Sequence, residues 1–259
     1  MSNALDIIAL AKAKKGGGGS GESWITSIPT MHRNIFRGKS LGSSVTAAQL
    51  AAIDDGTFDD LYVGDYWTIS VTIDGTEKSV NWRIADMDTP LDDRHHLVIV
   101  PDEGLYTSLF DSGSSYRGYY LSTALHTSGL DKARAAVNTA FPGIVLTHSE
   151  TFPTSDTAIT EQNVTVEIMD SIMITGNTLM QRDYWALSHK TTDSQFSLFR
   201  IAPKYKSTTS ASDYWTRSNT NSNNQVIVYN TMCGMQYPNI TTFYVRPYFL
   251  IGAGNENNS

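Results

Sequence analysis

Several residue groups in this chain have the types and spacing that chemistry would need. His95-His96 follows Asp92-Asp93, a set of metal-ligating types. Adjacent residues of a strand point to opposite faces, so the two imidazoles do not share one ion, and no metal site is expected there. Ser122, His126 and Asp131 carry the residue types of a hydrolytic triad. They fall on or near one helix, whose spacing does not build a triad, and no Gly-x-Ser-x-Gly elbow is present. Asp54-Asp55 and Asp59-Asp60 lack the alternating spacing of a calcium loop and read as a solvated acidic turn. Gly38-Lys39-Ser40 lacks the glycine five positions upstream that a phosphate loop requires, since that position holds Arg33. The single cysteine, Cys233, excludes an internal disulfide and an all-cysteine zinc site. The expectation is a non-enzymatic chain without metal or cofactor.

A different grouping lies near the C-terminus. Tyr214, Trp215, Tyr229 and Tyr237 accompany Asn219, Asn221, Asn223 and Asn224. Aromatic faces stack on the apolar faces of sugars, and amides read hydroxyls with paired donors and acceptors. These eight residues are the candidate ligand contacts. The polar loop 219–225 is flanked by two β-rich runs, Asp213–Ser218 and Val226–Tyr229, and the sequence closes with Phe243–Gly252.

The elements that position this stretch are legible in part. Residues 1–15 read as a helix, with Leu5, Ile7, Ile8 and Leu10 on its apolar face. So short a helix is marginal alone and needs a partner surface, either copies of itself or a larger assembly, so those four residues are the candidate anchor. Gly16–Gly21 is a flexible linker within the connecting segment 16–34. The body is read as 35–252, with a polar tail at 253–259. Thr46 caps a short helix, Ala47–Asp54, and Gly56 ends it. Leu61–Ile69 reads as strand. Val71–Ile73 and Val80–Ala85 flank Asp74-Gly75 as a hairpin whose loop looks longer than two residues. His95–Val100 is an apolar run suited to a buried strand. Tyr119–Ala140 is a long helix broken near Gly129 and Asp131, and Val164–Ile174 a second helix ended by Gly176 or Asn177. Phe196–Ile201 alternates before Pro203. Asp-Tyr-Trp recurs at Asp65, Asp183 and Asp213; the aspartate suits a turn, and the two rings suit opposite faces of a sheet.

The chain has 259 residues, 40% hydrophobic and 17% charged, with a net charge of −7. That charge argues against a nucleic-acid partner. No stretch approaches the length of a membrane span, and the N-terminus does not have the order of a signal peptide.

Segments FRGKSLGSSVTAAQLAAIDDGTFDDLYVGDYWTI, NWRIADMDTPL, HHLVIVPD, YLSTALHTSGL, FSLFRIAPKY and DYWTRS…YVRPYFLIG together resemble a domain of gut-bacterial phages and bacterial surface proteins. The W-x-R-S…V-R-P ending is similar to the C-type-lectin-like fold of phage receptor-binding proteins and of formylglycine-generating enzymes. The helix followed by polyglycine resembles the start of small phage fibre and tail proteins. The resemblance implies an α+β class: a C-type-lectin-like fold of twisted antiparallel sheets and two helices, preceded by the N-terminal helix and Gly-rich linker. It implies that Arg217 and Arg246 lock the fold. The enzyme branch needs paired cysteines that this chain lacks. The expected role is a virion structural protein, a head fibre or tail component made in the host cytoplasm and displayed on the particle surface. Its expected partners are itself, as a homotrimer, other virion proteins through the N-terminus, and a host-surface glycan or protein. A capsid cement or baseplate component without receptor binding, or a cell-wall-degrading enzyme, is the alternative.

Overall fold

The computed structural model describes residues 28–89, 94–112, 120–155, 158–176, 195–208, 212–219, 226–229, 233–237, 239 and 243–253. The protein is mixed α+β, dominated by strands, with few and short helices.

Helix α1 (Ile28–Arg33) opens the described chain. It is fastened to the body: His32 Nδ1 lies 2.7 Å from the Leu61 carbonyl, and its ring stacks on Tyr62 at 4.3 Å. Arg33 grips buried Asp86, which also accepts from the Ser197 amide at 3.0 Å. The packed body therefore reaches back to α1, seven residues before the start read from sequence. Helix α2 (Ala47–Asp54) has the expected cap: Thr46 Oγ1 accepts from the Gln49 amide at 3.2 Å, and Gln49 Oε1 accepts from the Thr46 amide at 3.0 Å.

The main sheet runs β1 (Tyr66–Ile73), β2 (Thr76–Met87), β3 (Leu97–Pro101), β13 (Pro247–Ile251), β5 (Val145–Leu146), and β8 (Val166–Ile168) also pairs with β13. All these pairings are antiparallel. The β1–β2 turn is tighter than the sequence suggests. Ile73 pairs with Thr76, and Asp74 and Gly75 sit at φ 53° and 75°. That is the two-residue turn whose twist matches the strands it joins. In β3 every residue is buried, because both faces of the sheet are covered. Leu97 and Ile99 enter one core with Trp67, Trp82, Phe141 and Phe249; Val98 and Val100 enter a second with Phe196, Phe199 and Tyr248.

The long central helix breaks where expected. A 3-10 turn (Tyr120–Ser122) and a π-helical turn (Leu125–Gly129) precede α3 (Asp131–Ala140), which packs on β1. Two readings change. The 164–174 stretch is not one helix: Val166–Ile168 extends as β8, and Asp170 then caps α4 (Ser171–Thr175), which Gly176 ends at φ 80°. Val164, Val166 and Ile168 also satisfy the two-residue period, and β-branched side chains favour the pleated alternative. Phe196–Ile201 alternates yet forms helix α5 (Ser197–Ile201), because Ser197, Leu198 and Phe199 are all buried and no strand lies alongside to pair with it among the described residues. A hairpin of β6 (His148–Ser155) and β7 (Ala158–Val164) forms its own two-stranded sheet. Five strands make the remaining sheet, in the order β11 (Cys233–Gln236), β10 (Val226–Tyr229), β9 (Tyr214–Asn219), β12 (Tyr244–Val245), β4 (Tyr106–Thr107).

Candidate functional site: the C-terminal sheet and its ionic root

Strand β9 begins at the third Asp-Tyr-Trp and leads toward the polar loop. It pairs antiparallel with β10 on one side and parallel with β12 on the other, Tyr214 opposite Tyr244. Both of its leading aromatics are interior. Tyr214 is 0% exposed and donates its hydroxyl to the Lys206 carbonyl at 2.7 Å. Trp215 is 0% exposed, donates Nε1 to the Ser108 carbonyl at 2.8 Å and meets Phe243 edge-on at 4.9 Å. Their rings enter different cores, as alternate residues of a doubly covered strand must. Neither offers a face to a ligand, which corrects their placement among the candidate contacts. Tyr237, just beyond β11, is 51% exposed. Asn219 and Tyr229 have described backbones, at the end of β9 and the end of β10. Asn221, Asn223 and Asn224, and the candidate anchors Leu5, Ile7, Ile8 and Leu10, lie outside the described residues.

The two arginines of the family-like ending are both structural anchors. Arg246 is 0% exposed and donates to three carbonyls: Pro101 at 2.9 Å, Lys206 at 3.0 Å and Tyr205 at 2.9 Å. Its guanidinium also lies over the rings of Phe199 and Tyr214. Arg217 pairs with Glu150 of β6, approaches Asp170 at 3.8 Å and lies over Phe152 at 5.1 Å. Ser218 follows, its Oγ accepting from the Ser171 amide at 2.9 Å. The last turn of β9 is thus bound to β6 and to the start of α4.

Around Arg217 lies an ionisable cluster that the sequence reading missed. Glu150 accepts from the Tyr248 hydroxyl and from Arg217, and His148 Nε2 lies 2.8 Å from its Oε1. Glu167, 0% exposed, accepts from the Tyr120 hydroxyl at 2.5 Å and has His126 Nδ1 at 3.1 Å and Arg134 at 3.6 Å. Burial pushes the Glu150 carboxyl well above the usual range, and the charges of Glu167 and Asp170 add to this. Burial also holds His148 down to about 4 and Arg217 to about 10, and lifts the Tyr120 phenol, with Glu167 adding to the last. Burial thus favours the neutral imidazole of His148. The Leu146 backbone favours its charged form, yet Nδ1 makes no well-formed hydrogen bond. The arrangement ties β6, β9 and β13 together. Its only foreshadowing is the alternation His148-x-Glu150-x-Phe152, which marks one inward face of a strand.

The other chemical candidates separate. His126 faces Glu167, while Asp131 pairs with Arg134 at 3.0 Å. His95 is exposed against Asp88 at 2.9 Å, and His96 is buried. Asp60 is taken by Arg37 and Lys39, and Asp55 accepts from the Thr57 amide. Among the described residues no three of His, Cys, Asp and Glu gather as a metal site, and no helix is long and apolar enough to cross a membrane. Comparison with protein-family models, with curated proteins and with solved structures finds no match for this chain.

Proposed function

We propose that this chain is a bacteriophage virion structural protein, a head fibre or a tail-associated component. Its C-type-lectin-like body adheres to a host-surface glycan or protein. Residues 1–15 fix the body to the particle, and copies assemble as a trimer, whose multiplicity raises the avidity of weak contacts. One observation carries this reading. Strand β9 is held at Tyr214, Trp215, Arg217 and Ser218 before the chain continues toward residue 220. A strand end fixed this firmly tolerates any sequence in the connection beyond it, which is what a display scaffold needs. The residues that carry the family resemblance, Trp215, Arg217 and Arg246, are the ones doing the holding.

The test pairs labelling with binding. Antibody against the full chain is applied to purified phage particles and viewed by electron microscopy. Fluorescent full-length protein is incubated with host cells. Particle labelling together with saturable cell binding supports the proposal. Labelling without binding at high micromolar protein, with particles falling apart when the gene is deleted, establishes the cement or baseplate role instead. Release of soluble fragments from host wall material would show an enzyme.

A further inference from the structure

We draw no further inference here: the strongest candidate, the exposed outer edge of the two-stranded β6–β7 sheet along β7 (Ala158–Val164), is a strand edge without a partner among the described residues, and nothing in the structure shows what covers it.

Discussion

Arg246→Met tests whether the fold is held as described. Methionine keeps much of the stem's volume and removes every donor. Three carbonyls, of Pro101, Tyr205 and Lys206, then lose a charged partner at 2.9–3.0 Å. Each buried acceptor left unsatisfied costs about 1–3 kcal/mol. The apolar replacement recovers some packing against Phe199 and Tyr214, and removes the burden of a buried charge. The expected net loss is therefore about 3–5 kcal/mol rather than the full sum. In a domain of this size that lowers the melting temperature by about 10 °C. Arg246→Lys keeps the charge but offers a compact ammonium in place of a planar fork, and recovers less than half of the loss. Urea unfolding followed by tryptophan fluorescence measures all three proteins. An Arg246→Met midpoint that corresponds to less than about 1 kcal/mol of destabilisation would refute the argument that this fork anchors the 203–206 segment.

Trp215→Ala should cost about 3–5 kcal/mol in the same assay, because it empties a site between Phe110 and Phe243 and strands the Ser108 carbonyl. His148 predicts an acid-side effect. Above pH 6.5 it is neutral folded or unfolded and contributes no pH dependence. As pH falls from 6.5 to about 4, the unfolded chain takes a proton that the buried ring refuses, and stability drops by up to about 3 kcal/mol. Glu150, raised by burial, titrates in the opposite sense, so the quantity to read is wild type minus His148→Gln across urea midpoints from pH 7 to 4. Equal slopes in the two proteins would exclude this role for His148. Thr46→Ala removes one half of the α2 capping box and should cost about 1 kcal/mol, read from the thermal midpoint.

Local rules made part of this legible. The Thr46 cap, the place of the Asp74-Gly75 turn though not its two-residue length, the buried run of β3 and the break near Gly129 each depend on residues adjacent in sequence. Asp65 is half such a case: it accepts the nearby Tyr62 amide at 3.0 Å, but also the amide of the distant Lys39 at 2.8 Å. Where two periods fit equally, as at Val164–Ile174 and Phe196–Ile201, neighbouring elements decided the outcome, and no local pattern contains them. The ionic cluster was illegible for a stronger reason. Glu150, Glu167, Asp170 and Arg217 come from separate elements, and only the fold brings them together. The aromatic pair Tyr214-Trp215 shows the opposite hazard: residue types suited to sugar binding are also those that fill cores.

The doubly covered strands have a consequence for how the molecule comes apart. Residues of β3 and β9 alternate between the two cores. Neither core is able to melt while the other stays intact, because the strand lost to one is a wall of the other. Unfolding of the body should be a single cooperative step, without a half-denatured species that exposes one apolar face. Resistance to unfolding is then set by one barrier for the whole body, and a cut in a surface connection leaves both cores closed.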